Sequence, residues 1–305
     1  NEARIGVGFG AAVIGYRGYM HSLEYAKDRL QGRKASEKNP ESPQVPIIEH
    51  ADVRRMLLAQ KAYSEGGLAL CLYGARLMDD QHTHPDEQKR MEAGKLLDLL
   101  TPVIKAWPSE YGPKANDLAI QVYGGTGYTR EYPVEQCWRD NRLNPIHEGT
   151  NGIQAIDLLA RKALADNGAA LRTLIRRIED TLIEAAADPD WVEATVLLRV
   201  LAQKVGVTAA QVASRMQRGD TALALANASH YVTAAGHLVV GWLWLQQALA
   251  ARRALAAGRV SEAFCEGKRQ TCRYFLKQEL PQAMHAIGLV AGFEDSFHAM
   301  RDEWF

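Results

Sequence analysis

The chain has 305 residues, 47% hydrophobic and 24% charged, which is typical of one large or two ordinary globular domains. Lysine plus arginine and aspartate plus glutamate each number 36, so no net charge attracts nucleic acid or anionic lipid. The four cysteines lie far apart without a CxxC pair, which argues against a metal or disulfide scaffold and favours a cytoplasmic protein. The sequence shows no signal peptide and no initiator methionine, and we therefore expect a fragment of a longer protein.

Helical periodicity without sustained strand alternation predicts an all-α fold. In the first part of the chain, helices are predicted over 4–31, 47–78 and 86–106, and a proline-rich loop separates the first two. Pro108 is expected to kink or interrupt the third helix, because proline has no N–H and clashes with the preceding turn.

Further helices are predicted over 113–123, 133–141 and 149–165. Beyond Gly168 the motifs that suggest chemistry cease. We therefore predict a first domain at 1–168 and a second helical bundle at 169–305, with long helices at 169–187, 191–218, 221–257 and 261–291. The most apolar run, 232–245, is too short for a membrane span and contains His237, which indicates a buried core helix.

Two patterns that suggest ligands have simpler interpretations. Gly6, Gly8 and Gly10 are spaced GxGxG rather than GxGxxG and follow no strand, so close helix packing is favoured over dinucleotide binding. His82 and His84 are flanked by acidic residues, which favours a solvated turn, and no metal site is predicted.

The stretch 121–154 concentrates the polar and glycine motifs of the chain: QVYGGTGYTREYPVEQCWRDNRLNPIHEGTNGIQ. Glu148 precedes Gly149, which permits close backbone approach, and Thr150, which suits a helix N-cap. A carboxylate at a helix entrance can act as a general base. On spacing alone, a solvated loop carboxylate is the favoured interpretation, because glutamate is mostly exposed in proteins.

These motifs resemble the flavin-dependent acyl-CoA dehydrogenases. In that family a Q-x-x-G-G-x-G-aromatic segment is followed by E-Y-P-V-E-x-x-x-R-D and then by E-G-T, and all three occur here in that order. The resemblance covers residues 1–165. The second half resembles the extra helical domain of a bacterial subgroup that includes methylthiopropanoyl-CoA dehydrogenases. The implied fold is a C-terminal helical bundle of that family followed by a second helical bundle.

The implied reaction is FAD-dependent α,β-dehydrogenation of an acyl-CoA thioester. By the resemblance, Glu148 removes the α-proton while the β-carbon gives hydride to the flavin. Gly149 lets the backbone approach the substrate, and Arg4 falls where the family has an arginine near the substrate. The implied electron acceptor is an electron-transfer flavoprotein.

The resemblance also implies that FAD is shared between two copies of the chain. Arg29, Gln121, Gly124 and Gly125 would contact the FAD of a partner subunit, which makes a homodimer the expected assembly, while Thr150 would contact the flavin phosphate region. Simpler alternatives remain open: Arg29 as a helix-end cation, the glycine pair as a helix C-cap, and Arg139–Asp140 as a structural ion pair.

Two other functions remain open for the chain. The implied absence of the family's N-terminal helical and middle β-domains is compatible with a helical dimerisation module that lacks catalytic activity. An acyl-CoA oxidase shares the flavin half-reaction and passes its electrons to oxygen instead.

Overall fold

The fold consists of α-helices joined by loops, in a computed structural model that describes residues 2–305. Within these residues there is no strand, and the one extended pairing is an isolated antiparallel bridge between Leu30 and Pro46. The all-α prediction is therefore confirmed. The helices are α1 (Glu2–Asp28), α2 (Ala51–Thr83), α3 (Glu87–Tyr123), α4 (Pro133–Asn141), α5 (Asn151–Ile156), α6 (Ala165–Ala185), α7 (Val192–Gln217), α8 (Thr221–Leu225), α9 (Ala228–Ala256), α10 (Glu262–Tyr274), α11 (Leu280–Ala291) and α12 (Ser296–Ala299).

Helices α1, α2 and α3 pack against one another, and α4 lies across α1 and α3. The expected interruption at Pro108 is wrong, since α3 continues as one helix of 37 residues through three prolines. A proline at 108 leaves the Ile104 carbonyl without its helical donor. Gly8 of α1 packs directly on that carbonyl, and an added Cβ there would lie 2.0 Å from the Ile104 oxygen. Tertiary packing against α1 thus covers the backbone that the proline releases.

Helix α9 joins the two halves of the chain. Its segment 231–245 is buried almost throughout, which confirms the predicted core helix, and it packs against α2, α3 and α5 as well as α7, α10 and α11. Gly236 lies against Trp107 of α3, where an added Cβ would come within 2.3 Å of the indole ring. One cluster of buried apolar side chains consequently extends from Ala62 in α2 to Val290 in α11.

Several predicted helix bounds need correction. The first helix ends at Asp28 rather than at residue 31, because Gln31 donates its N–H to Val45 O at 3.0 Å and leaves the helix. The predicted helix 221–257 is two helices, α8 and α9, because the buried Asn227 between them donates its amide to Glu294 O at 2.6 Å.

The predicted helix 261–291 is also divided, by a π-helical turn at Phe275–Glu279 between α10 and α11. Pro281, in the first turn of α11, cannot donate to the carbonyl four residues earlier. A wider turn at this point is a recognised way to accommodate the missing bond. The proposed domain boundary at Gly168 falls where Asp166, Asn167 and Gly168 take left-handed backbone angles, and it stays a prediction.

Within residues 2–305, one helical segment, Pro189–Gln217, is long and apolar enough to cross a membrane by length and composition. Leu198, Leu201 and Val205 of this segment are buried in the core. Core helices of globular proteins meet the same criterion, so the segment is weak support for a membrane span.

Candidate active site

Glu148 lies in the loop between α4 and α5, on a backbone turn that few non-glycine residues adopt. Its φ is +54° and that of Gly149 is +82°, so two successive residues are left-handed. Glycine takes this conformation without steric cost, whereas a residue with a side chain adopts it at the expense of strain. The turn leaves the Glu148 side chain exposed to solvent.

Thr150 ends the turn and is the N-cap of α5. Its Oγ1 accepts a hydrogen bond from the N–H of Ile153 at 3.3 Å, which confirms the predicted N-cap. The Glu148 turn is therefore fixed on its C-terminal side by a helix start.

A buried glutamine holds the Glu148 turn from beneath. The Nε2 of Gln154 donates to Glu148 O at 3.1 Å and to Gly149 O at 3.2 Å. Arg4 of α1 donates to Gln154 Oε1 at 3.2 Å and to Asp157 Oδ2 at 2.9 Å. Arg4 thus lies at the same site, and its contact with a substrate stays a prediction. No sequence motif pointed to Gln154, because its role depends on contacts between α1 and α5 that only the fold brings about.

A chain of amide side chains anchors the loop that precedes Glu148. Asn141 donates to Ala11 O at 3.1 Å and to Asn116 Oδ1 at 2.7 Å, which connects α4 to α1 and α3. Asn144 then donates to Asn141 Oδ1 at 2.8 Å, and His147 lies 3.1 Å from Asn144 Oδ1. All three asparagines are buried, so the bonds are made away from water.

A buried lysine adjoins the turn from α3. The Lys105 side chain is fully buried, and its Nζ donates to Asn151 Oδ1 at 3.2 Å. Burial lowers the pKa of Lys105 to about 8, while the negative charge of Glu148 opposes that lowering. Sequence reasoning missed this residue, although a single lysine within the apolar run LLTPVIKAW was a visible signal of a buried charge.

We expect Gln154→Leu to lower the free energy of unfolding of the 305-residue chain by about 2 kcal/mol, because the Glu148 and Gly149 carbonyls lose the donor that the buried Gln154 supplies. Urea unfolding measures the loss, and amide hydrogen exchange should accelerate over 148–153. Gln136→Leu is the matched control, since Gln136 is exposed and should change stability by less than about 0.5 kcal/mol. Equal stability in the two variants would contradict the assigned clamp.

The remaining predicted site residues form a second group at the far end of α1. Arg29 and Gln121 are exposed, and the Arg29 guanidinium makes no hydrogen bond or ion pair within residues 2–305. An added Cβ at Gly124 or Gly125 would meet nothing within 4 Å, so the backbone there is open to a ligand. Gly124 has a φ of +64° and is the C-cap of α3, as the simpler interpretation of the glycine pair predicted. The cap leaves the outer face of Gly124 free.

Aromatic stacking joins the two helices that carry this second group. Tyr25 of α1 stacks on Tyr123 of α3 with ring centroids 4.1 Å apart, and its hydroxyl lies 3.5 Å from Thr126 Oγ1. Arg4 and Tyr25 are separated by 21 positions of one helix, or about 32 Å. The structure therefore brings Arg4 together with the Glu148 turn and places the second group elsewhere.

Two further sequence interpretations concern charged and metal-binding groups. The expected Arg139–Asp140 ion pair is wrong: Arg139 pairs with Glu135 at 3.3 Å, because neighbouring helical residues point apart while residues four apart face each other. His82 lies in the last turn of α2 rather than in a loop. Within residues 2–305 no cluster of three or more His, Cys, Asp or Glu side chains is placed to hold a metal ion.

Comparison with known proteins identifies the family. The family model described as "Acyl-CoA dehydrogenase, C-terminal domain" matches residues 1–164, and "Acetyl-CoA dehydrogenase C-terminal like" matches residues 174–301. The chain belongs to the acyl-CoA dehydrogenase family. It is 35% identical over 285 residues to the 3-methylmercaptopropionyl-CoA dehydrogenase of Ruegeria pomeroyi, covering 92% of this chain and 47% of that protein.

A second acyl-CoA dehydrogenase shows the same relationship. The broad-specificity linear acyl-CoA dehydrogenase FadE5 of Mycobacterium tuberculosis is 34% identical over 291 residues, covering 92% of this chain and 47% of its own length. The acyl-CoA dehydrogenase from Bacillus anthracis, solved with FAD, superposes with a TM-score of 0.72 at 18% identity, over 94% of this chain and 48% of that chain. This likeness shows the shared helical fold. The chain spans about half the length of the curated relatives it matches.

Proposed function

We propose that the chain is the base-bearing half of an FAD-dependent acyl-CoA dehydrogenase, with Glu148 as the catalytic base. The construction of the Glu148 turn supports this role. Its exposed carboxylate stands on a strained left-handed backbone that Gln154 and the Thr150 cap hold in place. Strain that the surrounding structure supports in this way is concentrated at functional sites.

The turn suits proton abstraction next to a thioester. Glu148 takes the α-proton onto a carboxylate oxygen, and the thioester oxygen must then receive hydrogen bonds as negative charge develops on it. The backbone N–H of Glu148 donates to no other group within residues 2–305, and it is available for that oxygen. Bound FAD would supply the acceptor for the hydride that leaves the β-carbon.

The second group suits contact with FAD. The Arg29 guanidinium is a planar cation for a pyrophosphate, and the open backbone at Gly124 and Gly125 permits close approach. Gln121 adds an exposed amide to this second group. Thr150, which is also predicted to contact FAD, lies at the Glu148 turn instead. Since about 32 Å of helix separates the two groups, we propose that each FAD contacts both by way of a homodimer.

An electron-transfer flavoprotein is proposed as the acceptor and the cytoplasm as the compartment. All four cysteines are free thiols, which supports a reducing environment. The oxidase alternative differs only in the acceptor of the flavin's electrons.

The test uses the full-length, FAD-bound protein (the holoenzyme). We expect anaerobic addition of a saturated acyl-CoA to bleach the flavin absorbance and to yield the 2-enoyl-CoA. Faster reoxidation by electron-transfer flavoprotein than by oxygen would identify a dehydrogenase, and the reverse an oxidase. Failure to take up flavin, or no bleaching by any chain length from C4 to C16, would leave only the helical dimerisation module.

A further inference from the structure

Lys105 is a buried cation that the proposed reaction does not yet use. It lies on α3, where its sequence neighbours Ile104 and Ala106 are also buried, and its side chain has no exposed surface. Lysine is almost never fully buried unless its charge is paired. The environment of this ammonium therefore needs an explanation.

The ammonium has one hydrogen-bond partner among the described residues. Of its three N–H donors, one is directed to Asn151 Oδ1 at 3.2 Å, and the other two meet no acceptor within residues 2–305. Asn151 is the first residue of α5, three positions after Glu148. The lysine thus holds the start of the helix that follows the Glu148 turn.

Titratable and charged side chains near the Lys105–Asn151 hydrogen bond and the Glu148 turn come from four elements. Glu148, in the loop before α5, is the group whose charge acts on the ammonium. Glu110 lies about one turn further along α3 and is bonded to Asn151 rather than to Lys105. The Nδ2 of Asn151 donates to Glu110 Oε2 at 3.4 Å. Arg4 of α1 is bonded to Gln154 and Asp157, and His230 of α9 lines the groove of about 280 Å³ beyond Asn151.

We propose that Lys105 is a positioning residue for Glu148, holding the start of α5 through Asn151 and attracting the Glu148 carboxylate by its charge. This role rests on the proposed function of Glu148 as the base. A general base must lie within hydrogen-bond reach of the proton that it takes, and a fixed positive charge restrains where the carboxylate lies. The ammonium does not itself react: it acts on the position of Glu148, through its charge and through its hydrogen bond to Asn151.

A lysine with a purely structural role would stabilise the fold, whereas the buried charge of Lys105 destabilises it. The pKa of Lys105 is lowered from 10.5 to about 8 by burial, so the unfolded chain binds this proton more readily than the folded chain. The charged side chain therefore destabilises the fold increasingly as pH falls from 10.5 to 8, and by a constant amount below that. Lys105→Met should consequently leave the melting temperature at pH 7 unchanged or raise it.

The first test is an NMR titration of the Lys105 side chain in the 305-residue chain, with Lys105→Met providing the assignment. We expect a wild-type midpoint near pH 8. Glu148→Gln should lower that midpoint by roughly half a pH unit or more, since it removes the attracting charge. Glu110→Gln is the matched control and should lower it less. An unchanged midpoint in Glu148→Gln would overturn the proposal.

The second test measures flavin reduction in the holoenzyme. Lys105→Met should slow reduction roughly ten- to a hundredfold with little change in acyl-CoA affinity, and Lys105→Arg should restore part of the rate. A melting temperature lowered by Lys105→Met, with reduction near the wild-type rate, would show a structural role instead. If no acyl-CoA reduces the wild-type flavin, the proposed function fails, whereas the titration still decides the coupling of Lys105 to Glu148.

Discussion

Glu148→Gln is expected to slow flavin reduction by acyl-CoA at least roughly a thousandfold, because an amide cannot accept the α-proton. Gln keeps the shape of the side chain, and the clamp on the turn uses only the backbone oxygens of Glu148 and Gly149. Substrate binding should therefore be retained. Stopped-flow absorbance of the holoenzyme measures the rate of bleaching, and the spectral shift on mixing measures binding.

Two further variants make the result specific to this carboxylate. Glu148→Asp keeps the charge but withdraws it by one methylene, and it should give an intermediate rate. Glu131→Gln removes an exposed carboxylate from the loop before α4 and should leave the rate unchanged. Near-normal bleaching in Glu148→Gln would remove Glu148 from the reaction.

Gly8→Ala is expected to destabilise the 305-residue chain by about 3 kcal/mol, a large effect for one methyl group. The added Cβ would lie 2.0 Å from the Ile104 carbonyl oxygen and 3.0 Å from its carbon. Both atoms belong to the backbone of α3, so relief requires the two helices to separate. Chemical denaturation followed by circular dichroism measures the change in the free energy of unfolding.

Gly6→Ala provides the matched control on the same helix. No atom lies within 4 Å of the Cβ position at Gly6, and alanine in an open helical position stabilises by about 0.5–1 kcal/mol relative to glycine. The two substitutions should thus have opposite signs. Stabilisation by both would show that α1 does not depend on close approach to α3.

Features encoded within a few neighbouring residues were predictable. The 3.6-residue periodicity gave the all-α class, and the Glu148–Gly149–Thr150 order gave the helix N-cap, which the Thr150 hydrogen bond confirms. The family followed from three motifs in order, each with its own local spacing. Such signals depend on backbone geometry within one or two turns, and a sequence displays that geometry directly.

The tertiary structure decided what depends on residues far apart in the chain. Arg4 meets Gln154 across 150 positions, and Lys105 meets Asn151 across 46. The same holds for α3, which stays unbroken at Pro108 because α1 packs Gly8 against the released carbonyl. The sequence alone located the candidate base, whereas only the packing of α1, α3 and α5 shows how the turn beneath it is held. The reason is that burial and hydrogen-bond partners are properties of the packed helices rather than of local residue order.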